Sequence, residues 1–467
     1  MSAINGGNEL KAGAARADIT PAMGIQLAGD IGRHRPAEEI RDPLYAKALV
    51  LDSGAKRFCW LALDILAIGR VWGDRLRQEA AAICGISPEA VMVHILQNHA
   101  APAVGHFFNF DERVMNPLFA NHAWLPGGDD RYNPVCFAGA VQAVKDALAA
   151  LEPVSLEVGR GVDGRVAFNR RFIMRDGRAI AHPPVCDPGI LQCEGPADPE
   201  VGVMTFKSKA GAPVATVLHH TCHPVHGYPQ RWVSAGWPGA WCDRVRELQG
   251  DRGVVMVLNG FCGNIHHTNH LDPTQADNYQ EMGRKLAETT AKVLKQMVPV
   301  ENPSLDWRAK WMKIPFRRLT AEELSAARKL IEEHPEPIWK DATKTSVDWG
   351  WVYAACRLDM AGHIERNPFC DYFVQAFRLG GIGIVAVPGE PFVQEQLRIK
   401  GDSPFAYTFM AHMSNHYVGY LPTPEAILKD SFETRTCIGS RLVPEALRLM
   451  GDQSLSFLRE LSATMEK

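Results

Sequence analysis

Short apolar runs that read as buried strands recur through the N-terminal half of the chain, interleaved with helical patterns and polar loops. Residues 46–51 and 58–66 are two such runs, the first closed by the turn Asp52-Ser53-Gly54. Residues 72–82 then take helical spacing, and 91–96 form the next strand. The pattern continues with a helix at 137–151, strands at 154–158, 201–206 and 213–218, a helix near 240–248, a strand at Val254 and a helix near 279–297. Such β-to-α alternation predicts an α/β fold, with a mixed, largely buried sheet core flanked by helices.

The chain has 467 residues, 46 % hydrophobic and 22 % charged, enough for a substantial core. With no repeat, low-complexity tract or clear linker, it is expected to form one domain over 1–467. Residues 318–367 differ in character and read as a helical insertion, opened by the capping box Thr320-Ala321-Glu322-Glu323. Its Trp339, Trp349, Trp351 and Tyr353 suit either packing on the main core or a flap over an active site. After it, 379–387 reads as a strong strand ending at Pro388-Gly389-Glu390-Pro391.

A net charge of −3, a pI near 6.6 and no basic run exclude a general attraction to nucleic acid or anionic membrane. No segment is apolar enough to span a bilayer, and residues 1–10 lack the pattern of a secretory leader. The eleven cysteines contain no Cys-x-x-Cys pair and suit reduced thiols. A cytoplasmic protein with a small-molecule substrate is expected, and a homo-oligomer is compatible with the sequence.

Chemistry concentrates where strands end. His219-His220-Thr221-Cys222-His223-Pro224-Val225-His226 follows the strand at 213–218, and His266-His267-Thr268-Asn269-His270 follows the one at 253–258. Histidine is the commonest metal ligand, and strand ends are where α/β proteins place their sites. A hydrolytic zinc site needs three or four N, O or S ligands and one position left for water. His223, stiffened by Pro224, and Glu390, between Gly389 and Pro391, are the first candidates.

Several blocks occur together and in order: Ala15-Arg16-Ala17-Asp18-Ile19-Thr20-Pro21, Asp42-Pro43-Leu44-Tyr45, Gln97-Asn98-His99, Asn169-Arg170-Arg171, Thr221-Cys222-His223-Pro224, Gly260-Phe261-Cys262-Gly263-Asn264, Pro388-Gly389-Glu390 and Tyr417-Val418-Gly419-Tyr420. Over roughly residues 13–440 the chain resembles the catalytic domain of the neutral/alkaline, non-lysosomal ceramidase family. The resemblance implies a zinc-dependent amidase, with His223, Glu390 and Tyr420 as metal ligands and Arg170 beside the reacting carbonyl, where its charge would stabilise an oxyanion.

The departures are specific. The family's Thr-His-Thr-His motif reads Leu96-Gln97-Asn98-His99, so Gln97 stands where the first zinc-binding histidine is expected and His99 matches the second. An amide oxygen is a poorer zinc ligand than imidazole. Phe432 replaces a second active-site tyrosine, and His266-His267 follow Gly263-Asn264. The chain ends at Lys467, leaving no room for the family's C-terminal β-sandwich, so long-chain ceramide is not the expected substrate.

The resulting expectation is a divalent-metal-dependent hydrolase of an amide or related acyl bond in a small polar substrate. Zinc would be held by His223, Glu390 and Tyr420, with His99 as replacement ligand or proton shuttle. His99, Arg170, Gln97 and His266 are the catalytic candidates, and Arg33, His34, Arg35, His106, Asn109, Trp232 and Trp237 are expected at the pocket rim. Two alternatives stay open: a carbohydrate-active hydrolase or lyase using histidine and glutamate acid–base chemistry, and a non-catalytic ligand binder.

Overall fold

The structure is a computed structural model that describes residues 9–275, 277–301 and 303–465; most of the segment read above for a leader lies outside them. Its centre is two mixed β-sheets packed face to face. The larger runs in the order Val254–Asn259, Pro213–His220, Glu200–Ser208, Glu152–Val162, Lys11–Asp18, Tyr45–Asp52, Arg57–Leu63, Val91–Ile95, with Val298–Pro299 also paired to Glu152–Val162. The smaller consists of Leu305–Pro315, Phe369–Leu379, Ile382–Ala386 and Tyr407–Ala411.

Between the sheets lies an apolar layer in which Leu49, Phe58, Trp60, Leu156, Phe206 and Met256 meet Phe377, Leu379, Ile384 and Phe409. Helices Arg70–Cys84 and Asn133–Ala149 cover one half of the larger sheet's outer face, and Gly236–Leu248 and Tyr279–Val293 the other. Ala446–Ala463 covers the smaller sheet. The α/β expectation holds, as a layered arrangement of two sheets enclosed by helices. Among the described residues no helix is long and apolar enough to cross a membrane.

Several element bounds shift. The run at 379–387 splits at Gly380-Gly381 into a hairpin, so Leu379 closes Phe369–Leu379 and Ile382–Ala386 is the next strand. The strand expected to end at 218 continues to His220, which makes His219 and His220 sheet residues. Thr320 does form the capping box of Ala321–Glu333. The second helix of the insertion is Trp349–Arg366, capped by the Asp348 side chain accepting from the backbone N–H groups of Gly350 and Trp351.

Topology explains where a site can form. Within the two main sheets, three strand pairs are parallel: Arg57–Leu63 with Val91–Ile95, Pro213–His220 with Val254–Asn259, and Ile382–Ala386 with Tyr407–Ala411. Their carboxyl ends point to one region, as open α/β sheets favour for binding. Buried His94 ties that region together. Its Nε2 accepts from the Asn259 N–H at 2.9 Å while its Nδ1 lies 2.8 Å from the His412 carbonyl.

Candidate active site

Those strand ends enclose a cavity of about 690 Å³ lined by Gln97, His99, Arg170, His223, His266, Glu390 and Tyr420, together with His182 and an apolar wall. All seven residues singled out from the sequence therefore meet in one place. Each arrives by a local device. Beyond Val91–Ile95 the chain turns through Gln97, which holds a left-handed φ of 64°, a conformation costly for a residue with a Cβ. The next two residues are pinned: the Asn98 Nδ2 donates to the Ser234 carbonyl at 2.6 Å, and the His99 N–H to the Pro224 carbonyl at 3.0 Å. Gly389, at φ 78°, brings Glu390 alongside Tyr420 in a short parallel bridge.

At the core of the site the Nε2 of His223 lies 3.5 Å from Oε2 of Glu390. His223 Nδ1 is held 2.9 Å from the Cys262 carbonyl, which makes it the protonated nitrogen and leaves Nε2 a bare lone pair. Neither that Nε2 nor the Glu390 Oε2 has a hydrogen-bond partner among the described residues. Burial, followed by the charge of Arg170, holds His223 well below the ordinary imidazole range, so it is neutral. Burial lifts Glu390 to about 7, against the pull of Gln97, Arg170, Tyr420 and Tyr417.

Arg170 is fully buried and fixed on three sides. Its Nε donates to Glu433 at 3.1 Å, and one terminal nitrogen donates to the Gly263 carbonyl at 2.6 Å and to the Tyr420 hydroxyl at 3.3 Å. Its guanidinium also lies 5.1 Å from the centroid of Phe432, so the position that lost a hydroxyl keeps an aromatic face for the cation. Burial, then Glu390, raises the Tyr420 phenol well above its ordinary range.

His99 stands across the cavity with its ring centroid 5.4 Å from that of His223, and both its nitrogens lack partners among the described residues. Burial, then Arg35 and Arg170, lowers it to about 3. Gly29, at φ 109°, packs against this ring so closely that a Cβ there would collide with Nδ1. Among the described residues, the ligand atoms of His99, His223 and Glu390 do not all lie within 4.8 Å of one another. Gln97 favours the charged form of Glu390, against burial.

His266 lines the cavity, and its Nδ1 accepts from the Thr268 N–H at 3.0 Å, leaving Nε2 as the protonated nitrogen. His182, which sequence reasoning missed, also lines it, with its Nδ1 3.2 Å from the Nε2 of His270. Of the first histidine string only His223 reaches the cavity. His219 Nε2 accepts from the Met410 N–H at 3.2 Å, and His220 Nδ1 bonds the Glu200 carbonyl at 3.0 Å.

The expected rim is not the observed one. None of Arg33, His34, Arg35, His106, Asn109, Trp232 or Trp237 lines the cavity. Trp237, in the first turn of helix Gly236–Leu248, is buried in the core, and Arg35 is spent on the carbonyls of Ala28, His99 and Gln230. The wall is mainly apolar, with Leu66, Phe107, Phe108, Val225, Met413 and Tyr417. The insertion completes it: Trp349, Val352, Tyr353 and Cys356 of Trp349–Arg366 line the cavity while Trp351 packs into the core.

The fold and site thus define a mixed α/β protein whose strand ends converge on a buried histidine–carboxylate–tyrosine–arginine cluster. That architecture is similar to the crystal structure of neutral ceramidase from Pseudomonas aeruginosa, with a TM-score of 0.71 and 16 % identity over 98 % of this chain and 75 % of that one. It is likewise similar to a ceramidase structure described as complexed with C2, at 0.70 and 16 % over 98 % and 76 %. The chain therefore has a ceramidase-like fold. No protein-family model matches the chain, and no curated protein matches it.

Proposed function

We propose that this protein is a divalent-metal-dependent hydrolase of an N-acyl amide, acting in the cavity described above. The observation that carries this reading is the pairing of His223 Nε2 with Glu390 Oε2 at 3.5 Å, two buried ligand atoms with no other partner among the described residues, beside Tyr420. A neutral imidazole oriented by a carbonyl, a carboxylate and a phenol oxygen form a donor set that suits zinc or a similar ion. The ceramidases that share the fold act, by name, on an N-acyl amide, which supports the bond class. Bound there, a divalent ion would polarise the scissile carbonyl and lower the pKa of a water.

The chain's own residues supply the rest. Arg170, locked by Glu433 and Gly263, holds a fixed positive charge next to Tyr420, where an oxyanion would develop. His99, neutral and with both nitrogens free of partners among the described residues, is placed to carry a proton between the water and the leaving amine. The apolar wall excludes water and receives the acyl group, while Asp30, Tyr228 and Arg435 offer polar contacts at the cavity's lining. This makes the substrate a small N-acyl compound with an apolar acyl arm.

The test is a panel of N-acyl amides assayed with the wild type and with Glu390→Gln, a near-isosteric change. Release of free amine by the wild type, lost in the variant, is the expected result. Glu390, lifted to about 7, also suits metal-free acid–base chemistry, which would show as turnover of glycosides unaffected by chelators.

A further inference from the structure

Behind the cavity wall a second group of titratable side chains takes no part in the chemistry above. The rings of His226 and His267 stack with centroids 3.6 Å apart and planes 18° from parallel, and His266 stacks on the other face of His267 at 4.1 Å. The Nε2 atoms of His267 and His226 lie 3.0 Å and 3.5 Å from the same Oδ1 of Asp277. The side chains of His226 and His267 are only 4 % and 7 % exposed, whereas that of Asp277 is 68 % exposed.

With the ring protons on Nδ1, both Nε2 lone pairs face the same carboxylate oxygen, and a cation at the shared corner attracts all three together. Burial favours the neutral, ligating form of the His226 imidazole. The three ligand atoms lie within 4.8 Å of one another, a span one ion can bridge with small side-chain adjustment. Two histidines and one carboxylate with open positions are a donor set for first-row divalent transition metals, and the exposed Asp277 gives the ion a route in from solvent.

We propose that His226, His267 and Asp277 form a second divalent transition-metal site, distinct from the cavity. An ion there ties the loop after Pro213–His220 to the loop after Val254–Asn259. It also fixes the stack that ends in His266 at the cavity wall.

The site is tested by zinc titration of the chelator-stripped full chain, followed by calorimetry and thermal unfolding. The wild type is expected to bind two equivalents. Asp277→Asn, at an exposed position that leaves the core intact, loses one of them, with affinity at that site falling about tenfold or more. Glu390→Gln loses the other and keeps the equivalent that depends on Asp277. Zinc raises the melting temperature of Glu390→Gln but raises it much less once Asp277→Asn is added. His267→Gln reproduces the effect of Asp277→Asn. The proposal is overturned if Asp277→Asn and His267→Gln bind as much zinc, as tightly, as the wild type. A single equivalent sensitive to Asp277 but not to Glu390 would support this second site while refuting the metal in the cavity.

Discussion

His223 and Glu390 face each other across 3.5 Å with Nε2 and Oε2 free of any other partner among the described residues. Two buried acceptor atoms this close are stabilised by a proton or a cation between them. The lifted value of Glu390, about 7, is the proton's version of that statement, and burial is its main cause.

A pH dependence follows. The ordinary value of Glu390 is 4.5 and its folded value is about 7. Between these, the unfolded chain releases a proton that the metal-free folded chain keeps, so stability falls as pH rises through that window. The loss is complete just above the folded value and amounts to about 3 kcal/mol from this group. Urea unfolding of chelator-treated protein at pH 5 and pH 8 measures it. Glu390→Gln should flatten the slope; an unchanged slope in the variant would show that Glu390 is not the titrating group.

Arg170 is predicted to be indispensable to both stability and rate. Removing its charge leaves Glu433, already 0 % exposed, with Arg171 as its remaining counter-charge. Arg170→Ala should therefore cost about 1–3 kcal/mol of stability. Arg170→Lys keeps a charge but cannot reach Glu433, Gly263 and Tyr420 together; it should fold and lose about 10²–10³ in kcat. Folded Arg170→Lys enzyme with full activity would remove Arg170 from the mechanism.

Acyl-chain length is predicted to matter. Each methylene placed against Phe107, Phe108, Val352 and Met413 should raise kcat/KM about fourfold, the equivalent of about 0.8 kcal/mol, until the cavity is full. Val352→Phe, on the inserted helix, should lower the length at which the gain stops and leave N-acetyl substrates nearly unchanged. A series with no length dependence would place the acyl group elsewhere.

Gly29 separates a positioning role for His99 from metal binding. Gly29→Ala combines a left-handed φ of 109° with a collision against the His99 ring. It should cost about 1–3 kcal/mol of stability and displace His99. Turnover should fall while the cavity ion stays bound, as read by kinetics beside metal analysis. Loss of that ion in a folded Gly29→Ala protein would instead make His99 a ligand.

Much of this was legible in the sequence where local rules and tertiary demands agree. Apolar runs such as 46–51 and 91–96 are strands because both faces are buried, and the residues delivered at their ends proved to share one cavity. The strand Lys11–Asp18 was passed over because Lys11, Arg16 and Asp18 break up its apolar positions. Leu305–Pro315 alternates charged with apolar residues along a half-covered surface, a weaker signal than a continuous run. The Gly380-Gly381 pair carried the signature of a hairpin within 379–387. His182 gave no signal, being an isolated histidine held at a φ of 57° in an irregular arm. The polar rim failed because residue type was read without burial: Trp237 and Arg35 are core residues.

The central claim is that His223 and Glu390 hold a divalent ion in the cavity. The most direct measurement is elemental analysis of protein purified without chelator or histidine tag, made in the Asp277→Asn background so that only the cavity's ion is counted. About one zinc or other divalent ion per chain is predicted, lost in His223→Ala together with amide hydrolysis. Equal metal content with and without His223, or none in either protein after incubation with zinc, would contradict the account.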